Sequence, residues 1–427
     1  MGIDARQDSG APRGRVSASL RLSIGLATAG WLAAAPPSAA QAPRIRLDLS
    51  SQAVVAATRL SPAPGGGRLT EAQVEQPLVM VHAAERSGKI RLDVALDFEG
   101  LTMPAGVAGV GTWGEGFVDR RHPHTYVHQI MLSATHALSE HSVVSAAAGK
   151  GFVSFGTDDP MNRPVLRFPV NHHWAQVLER AVVVAGVRLG PAALEGAVFN
   201  GDEPERPGQW PNADRFGDSW SGRLTVRPVT GVEAQLSRAR IRSPEHRDGA
   251  GLPQDKWRAS ARVRGAVGAG SGYLLAEWAR TVEADGFFVF TSALAEVQLE
   301  RSPHRVYYRF ERTSRPEEPR AFDLSRSVRP HLDDAILGIT RWSVHTVGYA
   351  IRLPRLPRWL FAEPMTEVAL GHAAHLSGAF RVEDFYGRAT FASVTVGLRL
   401  RQGPPHRMGR YGVMREADQG ATGEHVH

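Results

Sequence analysis

Between Trp257 and Arg264 the odd positions Trp257, Ala259, Ala261 and Val263 are apolar, and the even positions Arg258, Ser260, Arg262 and Arg264 are polar. A period of two puts successive side chains on opposite faces of a strand, so this run has one apolar and one charged face. The pattern returns in Ala293 to Glu300, where Ala293, Ala295, Val297 and Leu299 oppose Leu294, Glu296, Gln298 and Glu300. In Arg305 to Glu311, Val306, Tyr308 and Phe310 oppose Arg305, Tyr307, Arg309 and Glu311. Near the end, Val394, Val396, Leu398 and Leu400 oppose Ser393, Thr395, Gly397 and Arg399.

Strands charged on one face and greasy on the other need two different surroundings. A transmembrane β-barrel supplies them, with lipid outside and a watery lumen inside. A soluble antiparallel sandwich also alternates. Two features favour the barrel. Strand-like runs reach ~10 residues, enough to cross a bilayer at a tilt, where globular strands are commonly ~5 to 6. Aromatic residues also fall near strand ends, at Trp220, Trp257, Tyr273, Trp278, Phe287, Phe288 and Trp359, as interfacial girdles require.

The expected fold is therefore all-β, a transmembrane antiparallel β-barrel of about 14 to 16 strands with an inward-folding loop. Candidate strands run from Leu78 to His82 through to Ala389 to Arg401, fifteen in all. Single-chain bacterial barrels have even numbers. Either the first run is not a strand or another hides in Leu47 to Leu60, so fourteen and sixteen both stand. Gly190-Pro191, Thr230-Gly231, Gly268 to Gly272 and Ser302-Pro303 mark tight reversals, while Gly201 to Asp218, Ser243 to Asp255 and Ser314 to Asp334 are long and polar. Short turns at one end and long loops at the other is the barrel's usual asymmetry.

The start of the chain reads as an export signal. Arg13, Arg15 and Arg21 precede an apolar run from Leu22 to Ala35, then Pro36, Pro37 and the small-residue stretch Ser38 to Ala42. The expected organisation is a signal peptide over 1–42, a flexible segment over 43–76 around Pro62 to Gly67, the barrel over 77–401 and a disordered tail over 402–427. The chain has no cysteine, which excludes disulfides, thiolate metal sites and a lipid-modified N-terminal cysteine. The formal net charge is +7, and four Arg against two Asp in residues 1–42 leave +5 beyond them. That excess is compatible with anionic solutes without demanding them. Beyond the N-terminal region no apolar run reaches the ~18 residues of a membrane helix.

From Ala146 to Asn200 a strand-like run is followed by a polar insertion rich in Pro and His, and then by two more strand-like runs. Such an insertion must be buried in protein or line water, because its backbone cannot satisfy itself. A strand ending Gly149-Lys150-Gly151-Phe152 and Phe155-Gly156 precedes it, and Leu178-Glu179-Arg180-Ala181 follows. Gly196-Ala197-Val198-Phe199-Asn200-Gly201 then leads into an acidic loop. In this order the stretch resembles the phosphate-selective porin O and P family of outer-membrane channels. The resemblance implies a diffusion channel whose third loop folds inward and narrows the pore. Here that loop is 156–178, with Asp158, Asp159, Arg163, Arg167, His172 and His173 as constriction candidates. It also implies a possible homotrimer.

If the polar faces point inward, Arg223, Arg227, Arg258, Arg262, Arg264, Arg305 and Arg309 line the lumen, with Glu296 among them. Rings of Arg favour anions. Glu233, Glu277, Glu296 and Glu300 share that environment, so paired wall residues are the competing reading. His122, His124 and His128 form a weak metal candidate with Glu115 or Asp119, although Pro123 breaks helical spacing. Adjacent His172 and His173 point to opposite faces on an extended chain. No nucleophile elbow and no phosphate-binding Gly-rich loop occurs, so no enzyme, no cofactor and no nucleic-acid partner is expected.

The expected function is an outer-membrane channel for passive diffusion of small hydrophilic solutes, with anions as candidates among them, in a Gram-negative-type bacterium, with the outer-membrane bilayer as its other partner. The alternatives are a metal-binding or structural barrel without channel activity, or a soluble periplasmic β-rich binding protein.

Overall fold

The computed structural model describes residues 45–63, 66–103, 124–157, 163–204, 206–244, 247–317, 336–354, 356–357, 359–403 and 408–414. The region read as an export signal lies outside them, as do Asp158, Asp159, His122, Glu115 and Asp119.

Sixteen strands form one sheet: β1 (Ile45–Ser61), β2 (Leu69–Glu85), β3 (Ile90–Asp97), β4 (Val127–Ser139), β5 (Ser142–Gly151), β6 (Arg180–Leu189), β7 (Ala192–Phe199), β8 (Ser219–Val226), β9 (Val232–Ile241), β10 (Gln254–Val267), β11 (Gly270–Glu283), β12 (Phe288–Arg301), β13 (His304–Glu317), β14 (Gly338–Ile351), β15 (Leu360–Gly378) and β16 (Thr390–Gln402). Each pairs antiparallel with its neighbours in sequence, and β1 pairs with β16, from Ser51 opposite Gln402 to Ser61 opposite Ala392. The sheet is thus a closed transmembrane β-barrel with no free edge, which satisfies every strand's ladder without water. Among the described residues no helix is long and apolar enough to cross a membrane.

Sixteen strands settle the count left open by the sequence. The segment 43–76, expected to be flexible, instead contributes β1 and the first part of β2. Its Ala and Ser content hides a strand whose lumen side is Val54, Ala56, Thr58 and Leu60, all buried. Of the connection between the two, residues 62–63 and 66–68 are described, and the Gly66 N–H donates to the Ala63 carbonyl at 2.9 Å.

The parity expected from the sequence holds in three dimensions. On β10 Lys256, Arg258 and Arg262 are buried inside, while Val263 is exposed outside. The outer face carries Leu132, Leu194, Leu236, Leu274, Leu299, Val347, Leu370 and Val396, a belt of apolar side chains whose natural solvent is lipid. Trp220 and Trp278 stand at the long-loop end and Trp359 at the short-turn end, all exposed. Tyr273 is a correction: it faces the lumen, buried, with its hydroxyl 3.3 Å from Glu296. Phe288 also packs inward, beside Phe290.

Candidate functional site: the pore constriction

The connection from β5 to β6 enters the lumen from the long-loop end. Its described residues 152–157 and 163–179 are buried, apart from the undescribed side chain of His173. Two kinds of wall residue hold it there: carboxylates that take its donors and guanidiniums that take its carbonyls.

The carboxylates belong to β11, β12, β13 and β15. Arg163 donates to Glu277 at 2.9 and 3.1 Å and lies 3.6 Å from Glu296. Arg167 donates to Glu311 at 3.2 Å and its backbone N–H to Glu367, also at 3.2 Å. The Val170 N–H donates to Glu311 at 2.6 Å. Burial pushes the Arg167 guanidinium below its ordinary range and Glu311 pulls it back. It stays cationic.

The guanidiniums come from β8, β10 and β13. Arg223 donates to the Gly156 carbonyl at 3.1 Å, Arg258 to the Ala175 carbonyl, and Arg309 to the Arg167 carbonyl. Each is itself paired: Arg223 with Glu195, Arg258 with Glu277, and Arg309 with Glu296 at 2.7 Å. Of the other lumen arginines, Arg262 and Arg227 both meet Glu233 at 2.7 Å, Arg305 meets Glu363, and Arg264 lies 5.1 Å over the Tyr273 ring.

Packing completes the hold. Trp174, on the single-turn helix His172–Ala175, stacks on Phe290 with centroids 4.8 Å apart and donates its indole N–H to the Ser314 carbonyl at 3.1 Å. Gly156 sits at φ +80, and a Cβ there would meet the Ala175 carbonyl oxygen at 2.1 Å, so only glycine fits where the loop's two arms cross. His172 is buried against Phe168, with Nδ1 3.2 Å from the Pro169 carbonyl. It points into the loop's own core.

A second insert comes from the short-turn end. Part of the segment expected to be a disordered tail, residues 408–414, lies buried in the barrel. Arg410 forms a two-pronged pair with Glu233 at 2.7 and 2.9 Å. The Tyr411 hydroxyl donates to Gln129 at 3.1 Å and accepts from the Phe152 N–H at 3.0 Å, and burial pushes its phenol up. Met408 joins an apolar cluster with Phe152, Phe168 and Leu178, while Val413 and Met414 pack on Val143 and Ala193. The Gly409 carbonyl accepts from Arg223 at 3.1 Å. Arg223 therefore ties wall, loop and tail together.

A third cluster lies beside the loop's base. Asp97, His124 and His128 each offer a ligand atom within 4.8 Å of the other two. Of the weak metal candidates the structure brings His124 and His128 together, and among the carboxylates beside them is Asp97, which sequence reasoning missed. Glu179 accepts from His128 Nδ1 at 2.7 Å. Burial would raise its carboxyl, yet His128, His124 and Lys150 hold it well below the usual carboxylate range.

No family model matches the chain, that of the phosphate-selective porins included, and no curated protein matches it. Solved structures do. The anion-selective porin from Comamonas acidovorans aligns over 84% of this chain and 99% of its own, at 10% identity and a TM-score of 0.51. What is shared is the porin-type barrel fold. More distant are Salmonella typhi OmpF, at 10% identity and a TM-score of 0.47 over 83% of this chain and 97% of that one, and Pseudomonas aeruginosa OpdO, at 11% and 0.37 over 83% and 96%.

Proposed function

We propose that this chain is a porin-like channel of the outer membrane of a Gram-negative-type bacterium, allowing passive diffusion of small hydrophilic solutes, anions included. The observation that carries the reading is the pairing of an apolar outer face with a charged lumen entered by a loop pinned at both its carbonyls and its donors. The soluble binding-protein alternative is not carried forward, because a closed barrel with an apolar exterior needs lipid around it.

The lumen arginines support only a modest anion preference. Arg223, Arg258, Arg262, Arg305 and Arg309 each have a Glu partner, so their fields are largely cancelled before a solute meets them. We therefore place His172 with the loop's packing rather than with solute contact, and keep Arg163 and Arg167 as the groups that fix the constriction. The test is swelling of liposomes carrying the refolded chain in sugars and amino acids of graded size. Uptake with a sharp size limit supports the reading; liposomes that contain folded barrel and swell in none of them contradict it.

The homotrimer implied by the resemblance is retained as part of the proposal. Cross-linking in mild detergent tests it: a trimer-sized band is expected, and an exclusively monomeric band counts against it.

The second insert favours a narrower version of the same reading, in which the C-terminal segment throttles the pore. Its seven described residues 408–414 occupy lumen that would otherwise hold water.

A further inference from the structure

We propose that Asp97, His124 and His128 bind a divalent first-row transition-metal ion, of which Zn²⁺ is the working probe. The site sits where β3 ends and β4 begins. Their pairing register shifts between Ala95, opposite Gln129, and Leu96, opposite Val127. This irregularity leaves His128 outside the ladder register, so that His128 and Gln129 are both buried where strict alternation would expose one of them.

Asp97 and His128 each have one polar atom tied down and another that makes no hydrogen bond among the described residues. The Asp97 carboxylate accepts the Glu99 N–H at 2.9 Å through Oδ1, while its buried Oδ2 makes no hydrogen bond among the described residues. His128 gives Nδ1 to Glu179 at 2.7 Å, and its buried Nε2 makes none. His124 has Nδ1 at 3.0 Å from Glu99 and 3.7 Å from Asp97 Oδ2. A carboxylate on one imidazole nitrogen fixes the ring and its tautomer and makes the other nitrogen a better ligand, an arrangement that metal-binding histidines regularly show. Two imidazoles and a carboxylate suit zinc, copper or nickel far better than calcium or magnesium.

Asp97 and Glu99 are fully buried and Glu179 is 2% exposed, so the two imidazoles lie among buried carboxylates, a setting that favours a bound cation. Protonated imidazoles are the alternative, and the experiment separates the two.

The experiment uses the untagged full-length chain, refolded in detergent and titrated with Zn²⁺. Because the sequence holds 17 histidines, assignment rests on variants rather than on stoichiometry. One tight equivalent is expected, weakened at least about tenfold in His128→Ala and in Asp97→Asn, and unchanged in the exposed control His136→Ala. Heat-modifiable migration confirms that each variant is folded. Binding that survives both site variants, or no saturable binding at all, overturns the proposal. Should the variants not fold, the unmodified protein loaded with one equivalent of Cu²⁺ decides: coupling to two imidazole nitrogens in its electron paramagnetic resonance spectrum is required, and its absence overturns the site.

Discussion

Arg223 is held from three directions: Glu195 on its own wall at 2.7 Å, the Gly156 carbonyl of the inward loop and the Gly409 carbonyl of the tail. Removing one member of a buried ion pair strands the other charge, at a typical cost of about 3–5 kcal/mol. Arg223→Met is therefore expected to lower the unfolding free energy of the barrel by about that much, read as a shift in the denaturant midpoint. Arg223→Met combined with Glu195→Gln should lose less than the single change, since no unpaired carboxylate remains. Equal losses from the single and double variants would show that the pair is not what holds this level of the lumen. The alternation that placed Arg223 inside is visible in the sequence. Its loop and tail partners are not, because they lie 67 and 186 residues away and are met only once the barrel closes. For the same reason Asp97, which strand pairing delivers to His124 and His128, is not visible from the sequence neighbourhood that holds Glu115 and Asp119.

At the scale of elements, the inward loop has among its described residues only the single turn His172–Ala175, and it borrows its order from the wall. Leu166 and Arg167 give their amides to Glu367, and Val170 gives its amide to Glu311. Glu367→Gln replaces a charged acceptor with a weaker one, so hydrogen exchange at the Leu166 and Arg167 amides should accelerate by about tenfold, the equivalent of about 1.4 kcal/mol, while exchange in the strands is unchanged. Faster exchange throughout the barrel would mean that the loop and wall unfold as one unit. The loop's place was legible from its composition, since a Pro- and His-rich insertion between two strands needs a wet or protein-lined setting. The buried part of the tail was not. Met408 to Met414 carries no period of two, and its order depends on Glu233, Gln129 and Ser145, which lie 177, 282 and 268 residues from their partners in it. β1 was obscured differently: its Ala and Ser residues satisfy a strand without announcing one, and only closure against β16 shows why small side chains suffice.

For the whole molecule, lipid and lumen divide the side chains between them, and moving a charge across that division should be costly. Leu236, 52% exposed near the middle of β9, faces outward, and Leu236→Arg is expected to destabilise the inserted barrel by about 2–4 kcal/mol, measured by denaturant titration in liposomes. A change within error would place Leu236 away from the hydrocarbon. The architecture as a whole follows from strand length, alternation and turn spacing, all of which are local. Conduction depends on how far the loop and the C-terminal segment fill the space between the walls, which no local pattern reports.

That filling is measured most directly by single-channel conductance in planar bilayers, comparing the full chain with one ending at Gln402. The full chain should insert in discrete conducting steps, and the shortened chain, freed of Arg410, Tyr411 and Met414 in its lumen, should give larger ones. If both chains insert as folded barrels and neither passes current, the lumen is not a path for solutes and the channel reading is wrong.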